Sequence, residues 1–114
     1  MHATTPAPIA SAHAASTTNV DHLAAATALA HQNDLFAEAV DLRRRGDVGG
    51  ALHAYQALIQ RFPNSPLAEN ALAERMRMLQ ASDREHAREE AARYMLRYPH
   101  GFAAAEAQRL LDLR

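Results

Sequence analysis

Cysteine, lysine and tryptophan are all missing from this 114-residue chain. Without cysteine there is no disulfide, no thiolate nucleophile, no Cys-type zinc site and no N-terminal Cys to carry a lipid. An excess of charge of either sign is missing too. Twelve basic residues, all arginine, face 13 acidic ones, for a formal net charge of −1. No bulk positive field is available to hold a nucleic acid or an anionic membrane. No stretch reaches the roughly 18 to 20 apolar residues of a membrane span, so direct membrane insertion is not expected. β-Branched and aromatic residues are scarce, with only three Phe and three Tyr. Alanine fills the space they leave, joined by Leu, Arg, Glu, Gln and Met. That balance of strong helix formers over strand formers predicts an all-α protein, and the length allows one small domain.

Composition changes near residue 33. Residues 1–31 hold one charged group, Asp21, among many Ala, Ser, Thr and His and the prolines Pro6 and Pro8. Such a segment buries too little apolar area to offset about 1–2 kcal/mol of backbone entropy per residue, so residues 1–32 read as a flexible tail. Residues 20–31 within it have good helix propensity behind a cap at Asn19, enough for a marginal helix if it docks. Ala28-Leu29-Ala30 has the small-residue pattern of a signal cleavage site. The amino end carries no Lys or Arg, and Asp21 abuts the short apolar run, so a secretory signal is not expected. The segment has the composition of a tether leading into a helical module.

From residue 33 to 114 the chain reads as five helices. Asn33 or Asp34 caps the first, over about 34–45, and Gly46 ends it. The second runs from Asp47 or Gly49 to about Phe62, with Ala51, Leu52, Tyr55, Leu58, Ile59 and Phe62 at helical spacing. Pro63 breaks it. Ser65 then caps a third helix, to about Gln80, with Pro66 in the first turn. Ser82-Asp83-Arg84-Glu85 has the form of a capping box opening a fourth helix, to about Arg97. A fifth follows Pro99-His100-Gly101. A shift of 36 residues superposes Asp47 on Asp83, Ala51 on Ala87, Arg61 on Arg97, Phe62 on Tyr98, Pro63 on Pro99 and Ala71 on Ala107. A period near 34 to 36 with two helices per unit is the signature of stacked helical hairpins, here about two to two and a half of them.

Tyr55-Gln56-Ala57-Leu58-Ile59-Gln60-Arg61-Phe62-Pro63-Asn64-Ser65-Pro66-Leu67-Ala68-Glu69-Asn70-Ala71 resembles the tetratricopeptide (TPR) repeat of bacterial envelope proteins. These include the C-terminal domain of the Tol–Pal cell-division coordinator and BamD-like lipoproteins. Tyr94-Met95-Leu96-Arg97-Tyr98-Pro99-His100-Gly101 looks like a weaker second copy. The resemblance covers about residues 34–114. It implies a scaffold in which the first helix of each pair lines a concave groove that binds a peptide or helix. It also implies a periplasmic or envelope-associated location, the alternative being cytoplasmic. On that basis the partner-binding residues are Glu38, Asp41 and Arg45 on the first helix. Asn70, Glu74, Arg77 and Gln80 come next on the third, and Glu106 and Arg109 on the fifth. Their mixed signs suit an extended or helical segment better than a uniformly charged ligand.

Other chemistry has little support. Arg43-Arg44-Arg45 complements the negative end of its own helix, with Asp41 and Arg45 spaced as an i,i+4 pair, and is not read as a nucleic-acid patch. His2, His13, His22 and His31 lack the i,i+3 or i,i+4 spacing of metal ligands, so no metal or cofactor is expected. His53, His86 and His100 lie in separate elements, with no nucleophile elbow, no Gly-rich phosphate loop and no His-Glu-x-x-His. Glu89 and Glu90 diverge by about 100° on a helix and form no acid/base pair, whereas Glu89 and Arg93 are spaced as a solvated i,i+4 pair. Met76, Met78 and Met95 read as core fillers. The expectation is a non-enzymatic interaction module or adaptor whose partner is a protein or peptide. The alternative is a homodimeric structural or regulatory module that associates through its fifth helix.

Overall fold

Helix boundaries in this protein are set by a few side chains that can accept the first free backbone N–H groups. A computed structural model describes the backbone of residues 6–113 and the side chains of residues 20–113. The flexible tail expected over residues 1–32, with His2 and His13, lies largely outside the side chains described. Five helices and no strand are present among the described residues: α1 (Pro6–Arg44), α2 (Val48–Arg61), α3 (Pro66–Ser82), α4 (Arg84–Arg97) and α5 (Ala104–Asp112). The protein is all-α, as its composition requires. Gln32–Arg114 form one compact unit, which holds the end of α1 and all of α2 to α5.

Two boundaries differ from the sequence reading. Asn33 and Asp34 lie inside α1 and cap nothing, and residues 20–31 are helical within the same element. Neither Gly nor Pro occurs between residue 9 and Gly46, and a polar residue in a helix interior costs only a few tenths of a kcal/mol. Gly46, at φ 83°, is where α1 stops. Its N–H bonds the Arg43 carbonyl at 3.0 Å, and the Asp47 N–H bonds that of Leu42 at 2.9 Å. Those are the paired bonds of a Schellman turn. Ser82 is the last residue of α3, and Asp83 caps α4, its carboxylate accepting from the His86 N–H at 3.2 Å. Asp caps as well as Ser does, and placing it there keeps the two halves in phase: Asp47, 36 residues earlier, accepts from the Gly50 N–H at 2.9 Å to cap α2.

The repeat extends to the backbone. The residues ending α2 and α4, Phe62 and Tyr98, have φ/ψ of −133°/62° and −131°/64°. The Phe62 N–H bonds Leu58 and the Tyr98 N–H bonds Tyr94, at 2.9 and 2.7 Å. Past the prolines the match continues, Ser65 bonding Phe62 and Gly101 bonding Tyr98, each at 3.0 Å. Residues 47–71 and 83–107 are therefore two copies of one hairpin-and-turn unit. Each of these helices packs on the next, α2 on α3, α3 on α4 and α4 on α5.

Small side chains let the helices approach. Ala51, Ala71, Ala87, Ala91 and Ala107 are fully buried, and Tyr55, Leu58, Met76 and Tyr94 fill the volume between them. Met78 is buried and Met95 partly so, which places the methionines in the core. Ala51→Leu and Ala87→Leu should each lower stability by about 1–3 kcal/mol through overpacking. Urea denaturation checks this, and a change below about 0.5 kcal/mol at either site would remove close approach as the reason for the alanines. Beyond α4 and α5 the pattern changes character. The core positions Leu52, Leu72, Ala73 and Met76 have as counterparts Arg88, Gln108, Arg109 and Asp112, all exposed. The Arg88 guanidinium donates to the Leu111 carbonyl at 3.2 Å and Gln108 to Asp112 at 3.0 Å. Polar groups thus stand at four positions where the earlier repeat has core residues, beside a hollow lined by Ala92, Leu110, Leu111 and Leu113.

Candidate functional site

The alternation of helices puts α1, α3 and α5 on a shared face, and that face carries a ladder of charges. Arg43 at the end of α1 bonds Glu74 on α3. The second oxygen of Glu74 accepts from Arg77 at 2.9 Å. Arg77 in turn makes a forked contact with Glu106 on α5, with N–O distances of 2.9 to 3.1 Å. The order of signs across the three helices is plus, minus, plus, minus. Bonds to Glu106, and secondarily to Glu74, push the Arg77 pKa still higher, so it is charged at every working pH. Its guanidinium also lies 6.0 Å from the ring of Phe102, which is 59% exposed just before α5.

Three of the residues expected to bind a partner, Glu74, Arg77 and Glu106, are thus brought together, and they hold each other. Gln80 and Arg109 join Glu106 around a hollow completed by Leu110, Asp112 and Leu113. Glu38 is exposed and Asn70 half-buried on their helices. Asp41 and Arg45 form an exposed pair at 3.0 Å, the i,i+4 contact their spacing predicts. Arg43 is the residue that sequence reasoning misses. Its neighbours Arg44 and Arg45 make it read as a helix-end cation, and only the position of α3 relative to α1 reveals its role as the first rung.

A second hollow, of about 460 Å³, opens beside that rung and is lined by Phe36, Val40, Arg43, Arg44, Tyr55 and Glu74. Phe36 and Tyr55 meet edge to face with centroids 5.5 Å apart. Burial, and then the Glu74 charge, raise the Tyr55 pKa against the opposing effect of Arg43, so the phenol stays protonated.

Two polar clusters lie off this face. Glu90 is only 3% exposed. Arg93 pairs with Glu90 at 2.8 Å instead of with Glu89, which corrects the i,i+4 reading. Arg75 reaches the same carboxylate with two bonds of 3.2 Å and the Leu52 carbonyl at 2.7 Å, tying α2, α3 and α4. The other cluster starts α5. Tyr94 donates to Glu69 at 2.6 Å, and the two oxygens accept the N–H groups of Ala103 and Phe102 at 2.9 and 3.2 Å. Burial, reinforced by the bond to Glu69, pushes the Tyr94 pKa up to about 12.

No family model matches the chain, and no curated protein and no solved structure does either. Among the described residues, no helix is long and apolar enough to cross a membrane.

Proposed function

We propose that this chain is a non-enzymatic protein-interaction module, an adaptor that holds a peptide or helix along the face of α1, α3 and α5. One observation carries the reading. Three alternate helices, α1, α3 and α5, present alternating charges on a single face, with a hollow at either end of the ladder. The mutual pairing of Glu74, Arg77 and Glu106 fixes their side chains before any partner arrives, so little rotamer entropy is left to lose on binding. Self-association through α5 draws less support: Ala92, Leu110, Leu111 and Leu113 line a hollow on α4 and α5, but Arg88, Gln108, Arg109 and Asp112 put polar groups at four positions where the earlier repeat has core residues. The resemblance of residues 55–71 to envelope tetratricopeptide repeats supports a partner in a bacterial envelope-associated assembly.

The test is site-specific photo-crosslinking in the native cells. Benzoylphenylalanine at Gln80 or Arg109, on the face, should capture the same protein, and the same group at Gln60 or Leu96, exposed on α2 and α4, should not. Equal capture from all four positions would defeat the reading. An adduct of twice the chain's own mass would instead favour the homodimer.

A further inference from the structure

We infer that the hollow beside Arg43 takes an acidic-apolar peptide segment, one carboxylate resting on Arg44 and one apolar side chain on Phe36 and Val40. The inference rests on the reading of this face as a peptide site and names what is recognised at one end of it.

Charge bookkeeping gives the sign. Glu74 sits between Arg43 and Arg77, and Arg77 is also matched by Glu106, so two guanidiniums and two carboxylates balance across the ladder. Arg45 is balanced by Asp41. Arg44, the remaining charge on the lining, has no carboxylate within ion-pair reach among the described residues. Nor is it needed to cap its helix, since the Gly46 and Asp47 amides already bond the carbonyls of Arg43 and Leu42. The hollow therefore holds one surplus positive charge at its rim. Its other walls are the half-buried side chains of Phe36 and Val40, backed by the buried ring of Tyr55, a surface that favours an apolar group. A volume of about 460 Å³ is at the size of small-ligand sites and admits one or two side chains. The guanidinium of Arg44 presents a planar fork suited to a carboxylate. An acidic residue adjoining a Leu or Phe supplies both groups at the needed separation, and the ladder leading away toward α5 gives the rest of a chain somewhere to lie.

The experiment uses the full chain, 15N-labelled, and two fluorescent peptides that differ only in charge. One has a Leu-Asp-Phe-Glu core between Ser-Gly flanks, and in the other Lys replaces both acids. The acidic peptide should shift the resonances of Phe36, Val40, Arg44 and Tyr55 saturably and the basic peptide should not. Arg44→Glu should weaken the acidic peptide at least tenfold with the circular dichroism spectrum intact. Arg44→Gln, which removes the charge without reversing it, should lie between. The inference is overturned if those four resonances stay in place, or if both Arg44 variants bind as the parent does. Basic-peptide shifts at the same residues, or acidic-peptide shifts confined to the hollow around Gln80 and Arg109, would also overturn it. Those last two results would leave the peptide face itself standing, and its failure is read separately by the crosslinking pattern.

Discussion

Gly101→Ala is expected to destabilise the fold by about 3 kcal/mol and to lower Tm by about 15 °C. The reason lies in how α5 begins. The first hairpin starts α3 with Ser65, whose hydroxyl accepts the Leu67 N–H at 3.1 Å. At the matching position the second hairpin has Gly101, and α5 receives no cap from its own N-cap residue, Ala103. The amides of Ala103 and Phe102, which lead into it, go to the hydroxyl of Tyr94 and the carboxylate of Glu69, which approach so closely that a Cβ on residue 101 would fall 2.3 Å from both oxygens. Tyr94 is fully buried and cannot swing aside, and moving Glu69 breaks its bonds to Tyr94 and Phe102. Tyr94→Phe should cost about 1–3 kcal/mol by leaving the Ala103 N–H unsatisfied. On that background Gly101→Ala should do less damage than in the parent, because one of the oxygens it strikes is gone. Urea denaturation of the four proteins checks both statements, and α5 amides at Ala107 and Leu110 should lose hydrogen-exchange protection first. A Gly101→Ala protein within about 0.5 kcal/mol of the parent would show that the latch does not hold α5.

Most of the helical architecture is legible in local chemistry. Gly46, Pro63, Ser65-Pro66 and Pro99 act on the backbone within two or three residues of themselves, so their effect needs no knowledge of the fold. The 36-residue shift finds the alanines at 51 and 87 and the caps at 47 and 83, because a repeated environment imposes repeated residues. What stays hidden is long-range. The partner of Arg43 is 31 positions away and that of Arg77 is 29 away. The start of α1 is hard to place from sequence because a good cap residue is also a tolerable helix residue. Glu90 is the instructive miss. It shares a helix face with Ala87, Ala91 and Tyr94, at i, i+3, i+4 and i+7, so its burial is visible in the pattern.

The Arg75–Glu90 pair supplies the second large expected effect. Moving each residue back by one repeat lands on Ala39 and Ala54, both buried. Two alanines, one on α1 and one on α2, are thus replaced together by an ion pair between α3 and α4. The physics of buried charge explains why they must change together. Glu90→Ala leaves the Arg75 guanidinium, only 15% exposed, with no carboxylate, at a cost of about 3–5 kcal/mol. Arg75→Ala is milder in electrostatic terms because Arg93 still reaches Glu90, although it also opens the volume the arginine stem filled. The double variant restores the alanines found 36 residues earlier at both positions and removes both desolvated charges. It should be no less stable than Glu90→Ala alone, giving a coupling energy of about 2 kcal/mol or more in a double-mutant cycle. Strict additivity of the two single losses would mean that the charges do not depend on one another. Coupling of the expected size would make the pair a register lock. The carboxylate of α4 and the carbonyl of Leu52 on α2 meet the same guanidinium only when α3 sits in one position between them. That position also sets where Glu74 and Arg77 stand, so the geometry of the charge ladder is held by a contact outside the ladder itself.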